Sequence, residues 1–154
     1  MTVVADASPL IALAQVNQLP LLERLFGEIL VPPAVVREVE LSLPAFIRER
    51  KLSRPIPAAV LHASLDPGES EAISLALELG AERVILDERA ARQLAHDLAL
   101  PRIGVLGILL ASKQKGLIPS VRPVLDGLVK SRFRITPELY EWLLSETGEG
   151  TPPQ

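Results

Sequence analysis

The sequence predicts one α/β domain, a three-layer α/β/α sandwich around a central parallel sheet. Its 154 residues are enough to bury one core and too few for two ordinary domains. Hydrophobic residues make up 48% of the chain and aromatic residues only 3%, so the core must consist of aliphatic side chains, as in parallel sheets. Short apolar stretches also alternate with segments of helical periodicity, an order that produces right-handed crossovers between parallel strands.

The first elements are a strand and two helices. Residues 2–5 are apolar and mostly β-branched, which favours a strand. Ser8 and Pro9 are typical of a helix start, with Ser8 as the N-cap and proline in the first helical position. A second helix is expected over residues 19–26, because Gly27 is a suitable C-terminal cap.

The middle of the chain predicts a strand, a helix and an irregular stretch. Residues 28–31 are expected to form a brief strand, and Pro33 opens the helix that follows. Residues 43–65 combine several prolines with mixed polarity, and they predict a helix plus an irregular connection.

A well-marked helix follows the stretch Asp66-Pro67-Gly68-Glu69, which has the spacing of a capping box, and it ends at Gly80. The remaining predicted elements are a strand over residues 83–86, a helix over 88–98, a strand over 102–105 and helices over 106–115, 119–129 and from Thr136 onwards. The domain is therefore expected over residues 1–146. Residues 147–154 are rich in glycine and proline and predict a disordered tail.

Composition restricts the chemistry of any site. The chain has no cysteine and only two histidines, His62 and His96, so a thiolate or imidazole-rich metal site is disfavoured. Its net charge of −3 argues against a protein that coats nucleic acid by bulk attraction. Residues 102–134 nevertheless carry seven basic residues and one acid. This uneven charge suits a polyanion whose phosphates meet cations held by carboxylates, and it fits solvated helix faces equally well.

No apolar stretch reaches the length of a membrane span, and the first residues lack the basic region and cleavage site of a signal peptide. We therefore expect a soluble, cytoplasmic protein without membrane association. The lack of cysteine is compatible with a reducing compartment.

Two aspartates repeat one arrangement, in which an apolar strand is followed directly by a carboxylate. Asp6 follows Val3-Val4-Ala5, and Asp87 follows Val84-Ile85-Leu86. Ligands of open parallel sheets bind at the carboxyl ends of the strands, so both side chains are expected at one edge. Each also has an ordinary explanation as a turn residue, and Asp87 as the cap of the helix that begins at Glu88.

Glu38 and Glu69 lie on predicted helices that could pack near this edge of the sheet. Carboxylates on different elements suffice for a hard cation such as Mg²⁺, which prefers oxygen ligands and keeps several waters. The alternative for Glu69 is that the capping box satisfies it, and the alternative for Glu38 is a solvated helix position. Glu71 and Glu88 are either auxiliary ligands or helix-start charges that complement the dipole.

Other active-site types are disfavoured. Ser8 is a helix cap rather than a nucleophile, because neither histidine stands in a context that suggests a base beside it. A phosphoaspartate enzyme would have a second aspartate where Ser8 stands. No glycine-rich phosphate loop follows a strand.

Six segments, taken in order, resemble PIN-domain proteins, and within them the bacterial and archaeal nucleases related to VapC-like toxins. They are residues 4–11, 31–38, 66–72, 86–92, 104–107 and 115–118. The resemblance covers nearly the whole chain up to about residue 144. It implies an α/β/α domain whose acids bind Mg²⁺ or Mn²⁺ and cut single-stranded or structured RNA.

The resemblance also implies roles for individual residues. The acidic positions of the family, which hold metal and carry catalysis, correspond to Asp6, Glu38, Glu69 and Asp87. Ser8 is then a supporting hydroxyl near Asp6. Glu69 departs from the pattern, because many relatives have aspartate there, and the longer side chain is expected to shift the metal or lower activity. Toxins of this kind are commonly dimers, and a small antitoxin protein neutralises them by inserting a segment into the site.

The mechanism that these residues suggest is metal-assisted phosphodiester hydrolysis. The carboxylates hold one or two Mg²⁺ ions, which lower the pKa of a bound water and stabilise charge on the phosphate. Without a cation the clustered carboxylates repel each other, so their pKa values should rise and stability should respond to metal. Arg89 and Arg92, one helical turn apart, either contact RNA phosphates or pair with Glu88 and other surface acids.

Two rival functions stay open at this point. A catalytically weak or inactive PIN-like module would bind RNA or a partner protein, through an apolar face that includes Phe133, Tyr140 and Trp142. The enzyme could also act on DNA instead of RNA.

Overall fold

The computed structural model describes residues 1–150 as a five-stranded parallel sheet between layers of helices. The strands are β1 (Val3–Ala5), β2 (Ile29–Val31), β3 (Ile47–Glu49), β4 (Arg83–Ile85) and β5 (Arg102–Ile103). Every neighbouring pair is parallel. The predicted α/β/α sandwich with a central parallel sheet is confirmed.

Nine helices lie in the described part of the chain. They are α1 (Ala7–Gln15), α2 (Pro20–Phe26), α3 (Pro33–Val39), α4 (Ala58–Leu61), α5 (Pro67–Leu79), α6 (Arg89–Asp97), α7 (Val105–Gln114), α8 (Arg122–Lys130) and α9 (Pro137–Glu146). Within residues 1–150, none of them combines the length and hydrophobicity that a membrane crossing requires.

The strand order is β3-β2-β1-β4-β5, so the chain reverses direction across the sheet at β1. The first three strands step outwards on one side, and β4 returns to pair with β1 on the other side. At such a reversal the loops that follow the two central strands diverge, which leaves a crevice at their carboxyl ends. Ala5 is in register with Ile85, and the Asp6 amide donates to the Ile85 carbonyl at 3.0 Å. Asp6 therefore stands at the opening of this crevice.

The core is aliphatic, as the composition predicts. The residues of β1 are fully buried, and the largest fully buried side chains of the described residues are all leucines and isoleucines. The aromatic side chains lie elsewhere: Phe133 and Tyr140 are only partly buried, and Trp142 is 46% exposed. Apolar strands without alternation are thus explained by helices that cover both faces of the sheet.

Several predicted boundaries are confirmed. Helix α3 begins at Pro33, and α5 begins with the complete capping box of Asp66 and Glu69 and ends at Gly80, which has the left-handed conformation. Thr136 caps α9 by accepting a hydrogen bond from the Leu139 amide at 3.1 Å.

Two predictions of local structure differ from the structure. Ser8 is not an N-cap, because α1 begins earlier, at Ala7, with Asp6 in the cap position. Residues 43–65 contain strand β3 as well as the short helix α4. This strand was missed because it is three residues long, with only Ile47 buried, so it gives no hydrophobic pattern.

We predicted a disordered tail from residue 147, but residues 147–150 are ordered. The Glu149 carboxylate accepts hydrogen bonds from the amides of Val121 and Arg122 at 2.8 and 3.2 Å, at the start of α8. Residues 151–154 lie outside the part of the chain that the structure describes.

Candidate metal centre

Three carboxylates from distant parts of the chain converge at the crevice. Asp6, Glu38 and Asp66 each place an oxygen within 4.8 Å of the other two. Asp6 follows β1, Glu38 lies in the last turn of α3 and Asp66 is the N-cap of α5. Packing of α3 and α5 beside β1 brings the three together, although they are separated by about thirty residues along the chain.

The relative position of α3 and α5 is fixed by side chains that cap each other's helix. Glu38 of α3 accepts a hydrogen bond from the Gly68 amide, at the start of α5, at 2.8 Å. Glu71 of α5 accepts one from the Ala34 amide, at the start of α3, at 3.0 Å. The first amides of a helix have no partner within it, so each contact satisfies a donor that would otherwise need water. This reciprocal capping holds Glu38 in the cluster.

Gly68 leaves the space that Glu38 occupies. A Cβ at position 68 would lie 2.7 Å from both carboxylate oxygens of Glu38, closer than such atoms approach. A glycine at this position therefore allows the close approach of Glu38 to α5. Desolvation and the charge of Asp66 raise the pKa of Glu38 above its ordinary value, while the Gly68 amide opposes this shift.

Asp6 is a buried carboxylate with an acceptor atom to spare. The residue is 1% exposed, and its Oδ1 has no hydrogen-bond partner among the described residues. The pKa of Asp6 is raised to about 7, mainly by burial and also by the charges of Asp66, Glu69 and Glu38, while the Ala7 amide opposes the shift. Burial of an oxygen without a partner lowers the stability of the folded state unless a proton or a cation binds it.

Glu69 is engaged by the capping box instead of joining the cluster. Its Oε1 accepts a hydrogen bond from the Asp66 amide at 3.1 Å, while Asp66 Oδ1 accepts one from the Glu69 amide at 2.7 Å. Glu69 is only 6% exposed, and burial raises its pKa. The sequence motif predicted this pairing, but it gave no sign that Asp66 would lie beside Asp6. Asp66 is the candidate ligand that the sequence did not single out.

Asp87 lies at the same edge of the sheet, one strand away from Asp6. Its Oδ1 accepts a hydrogen bond from the Val105 amide at 3.0 Å, at the start of α7, and its Oδ2 is buried without a partner among residues 1–150. The alternative in which it caps the next helix is wrong, because the N-cap of α6 is Glu88. Asp87 belongs to no group of three or more metal-binding side chains in the described structure.

Asp87 resembles Asp6 in its environment. Burial raises the pKa of Asp87, against the effects of the Val105 amide and the charge of Arg92. A Cβ at Gly104 would lie 2.7 Å from Asp87 Oδ1, so here too a glycine leaves room for a carboxylate. Repulsion between carboxylates was expected to raise these pKa values. The direction is confirmed for all four predicted acids, but burial is the largest cause in each.

Asp87 also lines a groove, which we call the arginine groove. It has a volume of about 890 Å³, and its walls include Ser8, Asp87, Arg92, Arg102, Arg132 and Trp142. Ser8 therefore lies in this groove and makes no hydrogen bond through its side chain to the described residues. Glu88 also lines the groove and is exposed.

The two arginines predicted to contact RNA lie on the exposed side of α6. Arg89 and Arg92 line a smaller recess of about 250 Å³ together with His96, Arg102 and Asp87, and Arg92 also reaches the arginine groove. Neither arginine forms an ion pair with an acid within the described residues. The alternative in which they pair with Glu88 is therefore not observed.

Comparison with known proteins gives one positive finding. The family model DUF3368, described as a PIN domain, matches residues 2–149. No curated protein matches the chain.

Proposed function

Since the chain belongs to the PIN-domain family, we propose that it is a metal-dependent nuclease that hydrolyses RNA phosphodiesters at the acidic cluster. The observation that carries this proposal is the buried Asp6 oxygen without a partner, within 4.8 Å of carboxylate oxygens of Glu38 and Asp66. Three carboxylates from three elements suit a hard divalent cation such as Mg²⁺ or Mn²⁺. Asp6 is buried and the other two are exposed, so the mutual repulsion of the three charges and the burial of Asp6 disfavour the ionised cluster without a cation.

The residues of the proposed centre have two kinds of role, metal binding and positioning of the metal ligands. Asp6, Glu38 and Asp66 hold the cation, which when bound acidifies a water and stabilises charge on the scissile phosphate. Glu69 fixes the backbone of Asp66, and the Gly68 amide orients Glu38, so both act by positioning a ligand. This differs from the sequence-based set, in which Glu69 was itself a ligand.

Asp87 completes the proposed centre from the neighbouring strand. Its Oδ2 offers a second buried acceptor, which fits either a second cation or a water that it orients towards the phosphate. Ser8 and Glu88 flank it in the arginine groove. Burial raises the pKa of Asp87, and the positive charge of Arg92 opposes this rise, which indicates that the side chains of Arg92 and Asp87 lie close together. Arg92 is therefore expected to contact a phosphate beside the cleavage point.

Cleavage assays with matched RNA and DNA substrates test the proposal. We expect Mn²⁺-dependent cleavage of RNA by the unmodified chain, and loss of it by about 100-fold or more in Asp6→Asn, since one carboxylate ligand is removed. Asp97→Asn is the control, because Asp97 is an exposed acid that bonds only Gln93. Cleavage that persists in chelator, or that survives Asp6→Asn, would show that another site is responsible.

We further propose that the enzyme is the cytoplasmic toxin of a toxin–antitoxin pair, acting as a homodimer that a small antitoxin protein neutralises. The support is the resemblance to VapC-like toxins. Growth arrest on expression, relieved by the product of an adjacent short reading frame, is the expected result. Normal growth with an active nuclease would contradict the toxin role while leaving the enzyme proposal intact.

The alternative is a PIN-like module that binds RNA or a partner protein without cutting. The half-exposed Trp142 and Leu139, each 46% exposed, favour a binding role for the surface around them. Tight binding without cleavage and without any effect of Mn²⁺ would support this alternative.

A further inference from the structure

We propose that the arginine groove holds a single RNA strand next to the cleavage point, with one unpaired base stacked on Trp142 and adjacent phosphates on Arg132 and Arg134. This inference rests on the proposed function for the location of the scissile bond. It assigns a base-binding subsite to Trp142 of α9, which is not a member of the acidic cluster.

The groove brings Asp87 and the aromatic side chains of Phe133 and Trp142 into one cavity, which Ser8 also lines. The cluster of Asp6, Glu38 and Asp66 lies outside its walls. Its volume of about 890 Å³ lies at the upper end of the range of ligand pockets, about 300–1,000 Å³. A strand that binds beside Asp87 can thus reach Trp142 within the same cavity.

The charge of the groove suits a polyanion. Its walls carry four guanidinium groups, those of Arg92, Arg102, Arg132 and Arg134, and only two acids, Asp87 and Glu88. None of the four arginines makes an ion pair or a side-chain hydrogen bond to the residues that the structure describes. Within residues 1–150 these cations are therefore free of ion pairs and side-chain hydrogen bonds, although the charge of Arg92 still acts on nearby Asp87. The acids lie where the strand would meet the catalytic centre.

The apolar part of the groove distinguishes a nucleic acid strand from a simple anion. Trp142 is the only tryptophan of the chain, and 46% of it is exposed. Leu139, one helical turn away, is exposed to the same extent, and both line the groove. Unpaired bases stack on aromatic faces while cations track the backbone, whereas a duplex keeps its bases inside. The combination points to a single strand.

The backbone conformation at Arg132 makes this residue suitable for a glycine substitution. Arg132 follows the C-cap of α8 and has a φ of +67°, a position that helix ends usually give to glycine. The amides of Arg132 and Phe133 donate to the carbonyls of Val129 and Leu128 at 3.1 and 2.9 Å, which completes a Schellman motif. Arg132 is one of five non-glycine residues with a positive φ in the described structure, and its side chain lines the groove. Glycine would be less strained at this position.

The experiment uses Trp142 as its own reporter. The full chain is titrated with a short single-stranded oligoribonucleotide of mixed sequence in chelator, so that binding is read without cleavage. We expect saturable quenching of tryptophan fluorescence, and none with inorganic polyphosphate, which has phosphates but no bases. Unchanged fluorescence with RNA, as expected for a surface that binds a protein partner, overturns the proposal. Equal quenching by polyphosphate overturns it as well.

Substitutions then separate stacking from charge. Trp142→Leu keeps an apolar side chain without a π face and should weaken RNA binding, followed by fluorescence anisotropy of labelled RNA, by about 10-fold or more, whereas Trp142→Phe should retain most of it. Equal affinity of the unmodified chain and Trp142→Leu would refute stacking.

Arg132→Gly is the most informative variant, because it both removes a cation and relieves a strained backbone position. Its effects on stability and on RNA binding should therefore be opposite. We expect a higher midpoint of thermal unfolding but weaker RNA binding, with the slope of log affinity against log salt reduced by about 0.7. Lys51→Ala is the control, since Lys51 is exposed and lies outside the groove. An unchanged salt slope in Arg132→Gly would remove this residue from the subsite.

The two proposals fail in different ways. Quenching by RNA without any cleavage in Mn²⁺ would leave the subsite and reject the nuclease. Cleavage that depends on Asp6, with normal RNA affinity in Trp142→Leu, would leave the nuclease and reject the subsite.

Discussion

Asp6 places a carboxylate where water cannot hydrate it. Asp6 follows a fully buried strand, and burial is the main cause of its raised pKa. The charges of three neighbouring acids raise this pKa as well. Folding thus stabilises the protonated form, while the proposed chemistry needs the ionised form bound to a cation. Ionisation of Asp6 therefore lowers the free energy of unfolding of the metal-free protein at neutral pH, although the proposed site depends on this residue.

The first prediction concerns the pH dependence of stability without metal. The pKa of Asp6 is about 7 in the folded protein and about 3.8 when unfolded, so the folded state binds more protons between these values. The free energy of unfolding should therefore fall as pH rises from about 4 to 7, by up to about 4 kcal/mol from this group. Urea unfolding in chelator at pH 4 and pH 8 measures this change.

The variant Asp6→Asn isolates the contribution of Asp6. It cannot ionise, so its stability should fall less over the same pH interval, and at pH 8 it should exceed the unmodified chain. Identical pH profiles for the two proteins would contradict the assignment of the raised pKa to Asp6.

A second prediction at this scale concerns Gly68. Gly68→Ala adds a Cβ 2.7 Å from the Glu38 oxygens, which must move and lose the hydrogen bond from the amide of residue 68. Mn²⁺ binding measured by calorimetry should weaken by about 10-fold, the usual effect of disturbing the support of a ligand. Gly150→Ala is the control, because its Cβ would meet only ordinary contacts of 3.6 and 3.8 Å. Equal affinities would show that the contact with Gly68 does not position Glu38 for metal binding.

At the scale of elements, helix N-termini organise the acids. Glu38 and Asp87 each accept a hydrogen bond from the start of a helix other than their own, and Asp66 does so within its own helix. Helix N-termini favour negative charge, so these contacts offset part of the cost of gathering carboxylates. They also leave each carboxylate with a second oxygen for another partner.

The third prediction tests the reciprocal capping of α3 and α5. Glu71→Ala leaves the Ala34 amide without its acceptor, which should cost about 0.5–2 kcal/mol of stability, as for other caps. Because α3 then holds Glu38 less firmly, affinity for Mn²⁺ should fall as well. Glu78→Ala is a matched control, since Glu78 also binds backbone amides, those of Ser53 and Arg54, but away from the cluster. A loss of stability in Glu71→Ala with unchanged metal affinity would limit Glu71 to a structural role.

At the scale of the whole molecule, the strand order decides where the site forms. The sheet reverses between β1 and β4, and this places Asp6 and Asp87 on neighbouring strands at one edge. The walls of the arginine groove include Asp87, at this edge, and Leu139 and Trp142 of α9. A negative centre and a positive groove thus adjoin in a protein whose net charge is −3. The distribution of charge, not its total, suits a phosphodiester strand.

The fourth prediction is that a divalent cation stabilises the whole fold, and more so at high pH. Mn²⁺ at 100 times its dissociation constant should add about 2.7 kcal/mol to the free energy of unfolding. The gain should be smaller at pH 5.5 than at pH 8, because Asp6 must lose a proton to bind the ion. Thermal unfolding with and without Mn²⁺ measures both, with Asp97→Asn as control. Stabilisation that persists in Asp6→Asn would place the ion elsewhere.

The sequence by itself determined what depends on near neighbours. The apolar strands, the proline at the start of α3, the capping box of α5 and the acids after β1 and β4 all follow from local periodicity and cap chemistry, and the structure has them. The resemblance to PIN-domain proteins rests on the same local segments. Strand β3 and the order of residues 147–150 were not predicted, because each depends on a partner far away along the chain. Strand β3 pairs with β2, and Glu149 binds the start of α8.

The tertiary structure alone decided which acids meet. Asp66 and Glu69 belong to one motif, yet Asp66 joins Asp6 and Glu38 while Glu69 turns to the Asp66 amide. Likewise, no local pattern links Ser8 to Trp142, which share one groove. Convergence of this kind depends on strand order and on how α3, α5 and α9 pack, and those are set by contacts between residues far apart in sequence.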